Sequence, residues 1–183
     1  DFRGGYETIA RLVDALDGRV LVKECGTGLS PKVVRRLHAA GVRAVDVSGS
    51  GGTSWIKVEA LRARGAMADL GHLFADWGLP TAAATGLAAG IGPQVIASGG
   101  ISDGLVAGKA LALGADVAGC ARPVLQAFVN DGADGARAFL ETLIQGIRMV
   151  MALTGCRRPT ELRTAPRVIG PRLSAWLSQG AGK

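Results

Sequence analysis

The chain has 183 residues, of which 48% are hydrophobic and 20% charged, so it can bury one core and we expect a single domain over residues 1–183. Its three cysteines include no C-x-x-C pair, which predicts neither a disulfide framework nor a zinc site. No apolar run is long enough to span a bilayer and the N-terminus does not resemble a signal peptide, so we expect a cytoplasmic protein without a membrane partner.

The net charge of +6 is concentrated at one end, because residues 157–183 hold five of the six excess positive charges. Aromatic residues make up only 4% of the chain, too few for stacking platforms along a basic groove, so we expect no nucleic-acid partner. We interpret residues 157–183 as a basic C-terminal extension that packs on the domain, with its charges on a solvated face or at a subunit contact.

Short apolar runs alternate with amphipathic stretches, which predicts repeated βα units and a parallel sheet. A first helix is indicated by apolar residues repeating from Ile9 to Leu16. Five strands are then predicted at residues 19–23, 43–48, 79–83, 94–98 and 116–120.

Helices are predicted between these strands and after them. Ser30 and Pro31 supply an N-cap and a first-turn proline, and Gly41 ends that helix. A short helix is expected within residues 85–93, and another over 103–113 that ends at Gly114. A long apolar face leads to a helix end near residues 154–155, and a closing helix is expected around residues 172–178.

Glycine-rich segments follow the strands, where ligands bind in parallel α/β folds. The turn Ser98-Gly-Gly-Ile101 and the segment Gly119-Cys-Ala-Arg-Pro123 follow consecutive strands. We predict a phosphate site there, formed by the amides of Gly99, Gly100 and Ile101 on one side and of Ala121 and Arg122 on the other, with the Arg122 guanidinium adding charge. The alternative is that these are ordinary tight turns. In (β/α)₈ barrels a phosphate site follows strands 7 and 8, so the five predicted strands would be strands 4 to 8 of such a barrel.

Lys23 ends the first predicted strand, at the edge where a cofactor would lie. Asp46, on the next strand, is either the partner of Lys23 or a structural hydrogen-bond acceptor. Both alternatives stay open from the sequence.

Several strings resemble type 2 isopentenyl-diphosphate isomerase, in order through nearly the whole chain. They are Val22-Lys-Glu-Cys-Gly26, Val45-Asp-Val-Ser-Gly-Ser-Gly-Gly-Thr-Ser-Trp55, Asp76-Trp-Gly-Leu-Pro-Thr81, Ala97-Ser-Gly-Gly-Ile101 and Lys109-Ala-Leu-Ala-Leu-Gly-Ala115. The second string is the most specific, whereas other FMN barrels share the Ser-Gly-Gly-Ile turn.

The resemblance implies an FMN enzyme of isoprenoid biosynthesis that interconverts isopentenyl and dimethylallyl diphosphate, with the flavin reduced by NADPH. It implies that Lys23 is catalytic and lies near the flavin ring, that Ser48 and Thr53 bind the cofactor, and that Trp55 forms a wall of the substrate pocket. The FMN phosphate would be held by Gly99, Gly100, Ile101, Ala121 and Arg122.

Family members begin with three further βα units, which carry the diphosphate contacts and the Mg²⁺ ligand. The chain is therefore expected to be a partial (β/α)₈ barrel with strands 4 to 8, without a metal ligand of its own, and the family pattern implies a homo-oligomer. Two alternatives remain. One is another FMN barrel oxidoreductase, such as a 2-hydroxy-acid oxidase or an IMP-dehydrogenase-like enzyme, and the other is an inactive half-barrel that binds phosphate.

Overall fold

The computed structural model describes residues 3–180, and its centre is a four-stranded sheet in which every neighbouring pair is parallel. The strands are β1 (Leu21–Lys23), β2 (Ala44–Asp46), β3 (Gln94–Ala97) and β4 (Val117–Ala118), and they lie side by side in chain order. Lys23 is in register with Asp46, and Asp46 with Ile96. The chain is thus an α/β protein with a parallel sheet.

Helices precede, connect and follow these strands. They are α1 (Gly5–Ala15), α2 (Pro31–Ala39), α3 (Trp55–Arg62), α4 (Ala66–Leu73), α5 (Thr81–Ala88), α6 (Gly104–Ala112), α7 (Arg122–Leu153), a 3₁₀ helix (Pro159–Arg163) and α8 (Pro171–Gly180). Non-helical backbone at Asp131 and Gly132 divides α7 into two segments.

The predicted helix ends are confirmed where the sequence carries capping residues. The Ser30 side chain accepts a hydrogen bond from the Val33 amide at the start of α2, and Gly41 follows that helix with a φ of 86°. Asp103 caps α6 in the same way, and Gly114 follows it with a φ of 112°. These caps satisfy backbone groups that the helix ends would leave without partners.

The predicted strand at residues 79–83 is wrong. Only a single parallel bridge forms there, between Ser50 and Pro80, and α5 begins directly afterwards at Thr81. Half of the residues of the segment Thr81–Ala88 are alanine, which favours a helix, and Pro80 can stand immediately before the first turn. The helix expected within residues 85–93 therefore starts four residues earlier, and the sheet has four strands where five were predicted.

Helices α3 and α4 were not predicted. They lie between β2 and α5 and pack against each other, with Gly71 so close to Ala60 that a Cβ on Gly71 would lie 2.6 Å from the Ala60 Cβ. His72 lies in the last turn of α4. The glycine-rich segment after β2 thus leads into a helical hairpin.

Two hydrophobic cores lie on the helix-covered side of the sheet. The first joins β2 and β3 to α2 and α5 through Val34, Val45 and Val95 among others. The second joins β3 to α6, α7 and the 3₁₀ helix, and its centre includes Leu162, which is 1% exposed. Since β-strand side chains alternate between faces, the residues beside these valines along the strands point to the other face.

The C-terminal region packs at β4 and on helix α5. Arg163, in the 3₁₀ helix, forms a 2.6 Å ion pair with Asp116 and donates a hydrogen bond to the Ala115 carbonyl before β4. Helix α8 packs on α5, where a Cβ on Gly86 would lie 2.8 Å from Leu177. Within the described residues, no helix has the length and apolar character needed to cross a membrane.

Candidate active site

Lys23 lies at the carboxyl end of β1, on an edge strand, and its side chain is 50% exposed. Its ammonium group donates to three oxygens, the carboxylate of Asp46 at 2.9 Å and the hydroxyls of Ser48 at 3.1 Å and Ser98 at 3.2 Å. The parallel register places these residues on one face of the sheet, because Lys23 pairs with Asp46 and each serine lies two residues beyond a residue on that face. The lysine is thus held in one direction while it keeps access to solvent.

Asp46 is the centre of this cluster. It is 6% exposed, and while one carboxylate oxygen binds Lys23, the other accepts the Ser98 hydroxyl at 2.7 Å and the Ser48 amide at 3.1 Å. A buried carboxylate is stabilised when both oxygens are bound in this way. Of the two roles that the sequence left open for Asp46, the structure supports both, since it is the partner of Lys23 and an acceptor for neighbouring backbone.

Ser48 adopts a φ of 37°, in the left-handed region that residues other than glycine rarely occupy. This conformation turns the chain away from β2, so that the Ser48 amide reaches Asp46 and its carbonyl accepts from Gly28 at 3.2 Å. A strained backbone of this kind is kept only where the surroundings determine it, and such residues cluster at functional sites.

The glycine turn after β3 packs directly on the loop after β2. A Cβ on Gly99 would lie 2.2 Å from the Gly49 carbonyl oxygen, and one on Gly100 would lie 2.1 Å from the Gly51 carbonyl oxygen. Both glycines of the turn also have positive φ, at 99° and 85°. The Thr81 hydroxyl fixes the turn from the other side by donating to the Gly99 carbonyl at 2.6 Å. No residue larger than glycine fits these two positions.

Backbone amides at the carboxyl end of the sheet remain available to a ligand. Within residues 3–180, the amides of Gly100, Ile101 and Ala121 donate to no acceptor. Ala121 is the N-cap of α7 and Arg122 its first residue, both exposed, so the positive end of the first segment of α7 lies after the strand that pairs with β3. This donor set fits a phosphate group.

Glu24 organises the loop after β1. Its carboxylate accepts the amides of Gly26, Thr27 and Gly28 at 2.6, 2.5 and 3.0 Å, and the Thr27 hydroxyl at 2.8 Å. Burial alone would raise the pKa of this carboxyl, but the hydrogen bonds from Thr27, Gly28 and Gly26 outweigh it and hold the pKa of Glu24 below its ordinary value.

Thr53 and Trp55 lie against this loop rather than against the glycine turn. A Cβ on Gly26 would lie 2.9 Å from the Thr53 carbonyl oxygen and 3.9 Å from the Trp55 ring. Trp55 is 57% exposed and begins an apolar groove of about 550 Å³ between α3 and α4, whose lining includes Met67 and Phe74. Within the described chain, no hydrogen bond joins either residue to Lys23.

Burial raises the pKa of the Cys120 thiol, which makes it a poorer nucleophile at neutral pH, and Cys25 is exposed. Among the described residues, no group of three or more histidine, cysteine or acidic side chains could hold a metal ion.

Sequence reasoning missed Ser98, Thr81 and Glu24 as site residues. Ser98 lies two residues beyond Ile96, which pairs with Asp46, so its side chain is on the same face as Asp46. Predicting this from the sequence would require knowing the register of the two strands. Glu24 carries no comparable signal, because its backbone partners are the amides of Gly26, Thr27 and Gly28, which no sequence pattern marks as donors to a carboxylate.

The parallel sheet, with a lysine and two glycine-rich turns at its carboxyl edge, defines an α/β protein of the class that binds ligands at that edge. Residues 3–167 match the family model described as FMN-dependent dehydrogenase, so the chain belongs to that family.

Its curated relatives are named isopentenyl-diphosphate delta-isomerase, which confirms the resemblance recognised in the sequence. The protein from Ignicoccus hospitalis is 41% identical over 182 residues, which are 96% of this chain and 50% of the relative. The one from Nostoc sp. is 48% identical over 158 residues, covering 85% of this chain and 45% of the relative. The chain thus spans about half the length of the curated relatives it matches.

Solved structures with the same fold include oxidases of this family. A mandelate oxidase variant with the monooxide FMN adduct superimposes with a TM-score of 0.69 at 26% identity, over 90% of this chain and 46% of that one. A putative lactate oxidase from Pediococcus acidilactici gives a TM-score of 0.67 at 24% identity, over 88% of this chain and 39% of that one, and shows the fold alone.

Proposed function

We propose that this chain is the FMN-phosphate-binding part of an isomerase that interconverts isopentenyl and dimethylallyl diphosphate with reduced FMN in isoprenoid biosynthesis. The observation that carries the proposal is the cluster of Lys23, Asp46, Ser48 and Ser98 at the carboxyl edge of the sheet, in a chain whose curated relatives bear that isomerase name. When bound, reduced FMN would supply the acid and base that move a proton at the substrate carbon.

The residues of the chain would act on this cofactor through position and charge. Gly99, Gly100, Ile101 and Ala121 would hold its phosphate through their backbone, together with the Arg122 guanidinium. Lys23 would place a positive charge beside the ring and favour its anionic reduced form. Asp46 and Ser98 would keep the ammonium in place.

Ser48 and Thr53 would contribute further cofactor contacts, in our proposal, and Trp55 would form a wall of the substrate pocket. The exposure of Trp55 and its position against the loop that follows Lys23 support this role, because an indole ring there is free to contact a bound molecule. Lys23, beside the flavin ring, and Trp55, in the substrate pocket, are therefore the two residues that we assign to catalysis.

The open face of the sheet supports a larger barrel. Leu21 and Val117 lie on the face that carries Lys23 and are 48% and 52% exposed, whereas parallel sheets are normally covered on both faces. We propose that residues 1–183 form one partial domain of a (β/α)₈ barrel, with the basic residues 157–183 packed on it. Strands 4 to 8 of this barrel correspond, in order, to β1, β2, the bridge at Pro80, β3 and β4. Preceding βα units would close the barrel.

Further properties of the isomerase family belong to the same proposal. They are reduction by NADPH, a Mg²⁺ ion that binds the diphosphate substrate, a homo-oligomeric state and a cytoplasmic location. No residue of the described chain is assigned to Mg²⁺, because no suitable group of ligands exists within residues 3–180.

The oxidase alternative is weaker. A 2-hydroxy-acid oxidase is expected to place a histidine and an arginine together after β2, where this chain has Val47-Ser-Gly-Ser-Gly-Gly-Thr53. That segment carries no group that could remove a proton from a hydroxy acid.

A titration with FMN and riboflavin, followed by flavin fluorescence, tests the proposal. We expect the chain to prefer FMN, and Arg122→Met to reduce that preference, because riboflavin has no phosphate for the amides and the guanidinium to bind. Lys23→Met should weaken both ligands about 10-fold, which corresponds to about 1.4 kcal/mol, whereas the exposed Lys32→Met serves as control.

Isopentenyl diphosphate is then added anaerobically with reduced FMN, and dimethylallyl diphosphate is measured. Absence of flavin binding would refute the proposal for this chain. Flavin binding without isomerisation would restrict it to cofactor binding and would favour the inactive half-barrel.

A further inference from the structure

The carboxylate of Glu24 receives an unusual number of hydrogen bonds for a loop residue. Three consecutive amides and one hydroxyl, all from Gly26, Thr27 and Gly28, donate to it. Within the described residues it forms no ion pair, so its negative charge is balanced by N–H and O–H groups. A turn that only reverses the chain needs one such bond.

The loop that Glu24 shapes connects the other loops at this edge of the sheet. The Glu24 amide donates to the Asp46 carbonyl at 3.1 Å, which extends the pairing of β1 with β2 beyond Lys23. The Gly28 amide donates to the Ser48 carbonyl at 3.2 Å, and the Thr27 carbonyl accepts the Leu79 amide at 2.8 Å. Glu24 thus ties the end of β1 to the segments that follow β2 and precede α5.

The backbone of the loop requires this support. Gly26 and Gly28 have φ angles of 129° and 84°, and a Cβ on Gly28 would lie 3.0 Å from the Leu79 carbonyl oxygen. Two glycines give the unfolded loop wide freedom, so without a group that binds their amides the ordered form would be costly. The carboxylate supplies that group.

We propose that Glu24 is a positioning residue for Lys23. Its carboxylate fixes the loop that leaves β1, the fixed loop holds the register of Lys23 with Asp46, and this register brings the ammonium to Asp46, Ser48 and Ser98. Its role toward the flavin rests on the proposed function, whereas its effect on Lys23 is a property of the chain alone.

The first test measures the lysine directly and needs no flavin. Limited acetylation followed by peptide mass spectrometry compares the rate at Lys23 with that at Lys32, which is exposed on α2. In Glu24→Ala we expect the Lys23 to Lys32 ratio to rise about 5-fold or more, because the ammonium is released from its three acceptors. Glu24→Gln, which keeps one acceptor oxygen, should fall between wild type and Glu24→Ala. The matched control Glu141→Ala removes an exposed glutamate of α7 and should leave the ratio unchanged.

An unchanged ratio in Glu24→Gln and Glu24→Ala, with circular dichroism like that of wild type, would overturn the proposal. If Glu24→Ala does not fold, Glu24→Gln alone decides, and a rate ratio equal to that of wild type overturns it. Neither outcome depends on whether the chain binds FMN, so failure here is distinguishable from failure of the proposed function.

The second test asks whether Glu24 acts through Lys23. FMN affinity is measured for Glu24→Gln, Lys23→Met and the double variant. A positioning role predicts that Glu24→Gln weakens binding severalfold in wild type and has little further effect once Lys23 is methionine. Additive effects would mean that Glu24 stabilises the loop independently of the lysine, and they would overturn the proposal.

Discussion

The ion pair between Lys23 and Asp46 can be compared with a second ion pair of similar length that is far more exposed to solvent. The Lys23–Asp46 distance is 2.9 Å and the Arg62–Glu59 distance is 3.0 Å. Asp46 is 9% exposed in its side chain, whereas Arg62 and Glu59 are 73% and 65% exposed. Neutralising one carboxylate in each pair therefore compares a buried acceptor with a solvated one.

Asp46→Asn keeps the shape of the side chain, and its carbonyl oxygen can still accept from Ser98 and from the Ser48 amide. Its NH₂ group then faces the Lys23 ammonium, so one charge-assisted hydrogen bond is lost and two donors meet. Such bonds contribute about 1.5–3 kcal/mol, but the half-exposed lysine can recover water, and we therefore expect a loss of about 1–2 kcal/mol in the free energy of unfolding. For a chain of this size this lowers the Tm by about 2–8 °C.

Urea and thermal unfolding, read by circular dichroism, measure this loss against Glu59→Gln. The exposed pair should contribute less than about 0.5 kcal/mol, and that contribution should disappear in high salt. The effect of Asp46→Asn should persist in high salt because its carboxylate is shielded from solvent. If both variants unfold at the same urea concentration as wild type, the lysine is not held by a buried carboxylate and the reasoning about the cluster is refuted.

Two further predictions concern the glycine turn and the C-terminal contact. Gly100→Ala should destabilise the chain by several kcal/mol more than Gly90→Ala, because both have φ above 80° but only Gly100 would place its Cβ 2.1 Å from the Gly51 carbonyl oxygen. Equal effects in urea unfolding would contradict the packing of the two loops. Burial opposes ionisation of Asp116, yet hydrogen bonds from a β3 amide and from Arg163 hold its pKa below the ordinary 3.8. Because the folded-state pKa of Asp116 is lowered, its carboxylate contributes stability that is fully present above the unfolded-state pKa and is lost as the pH falls through the folded-state pKa. The difference in stability between wild type and Arg163→Met should therefore shrink below about pH 4. A constant difference from pH 7 to pH 3 would contradict this.

Local chemistry explains which elements were predictable. Helices α2 and α6 have a side chain that caps the first turn and a glycine with positive φ after the last, so their ends are encoded within about ten residues. Helix α4 has Gly65 as its N-cap residue, so it lacks a side-chain cap and offers no comparable signal. The strand prediction for Leu79–Ala83 failed for a different reason. A proline followed by small residues is compatible with a short buried strand and with the start of a helix equally well.

The site was predictable in part. Lys23 ends one predicted strand and Asp46 lies near the end of the next, and the carboxyl ends of parallel strands share an edge, so their proximity follows from the fold class. The contacts of Ser98 with Lys23 and Asp46 depend on the register of the strands, because a one-residue shift would turn its side chain to the other face of the sheet. The packing of the Gly99–Gly100 turn on Gly49 and Gly51 depends on two loops meeting, which no local pattern specifies.

One face of the sheet carries both the lysine cluster, which the chain holds by itself, and apolar residues that the chain leaves uncovered. The residues that hold Lys23 come from β2, β3 and the loops after them, all within the described chain, so its orientation requires no further strand. The apolar residues of the same face, Leu21 and Val117, are by contrast uncovered. If preceding βα units close the barrel, they should cover these apolar residues and leave the lysine cluster unchanged. Cofactor binding can then be tested on this chain, while isomerisation tests whether it also holds the substrate.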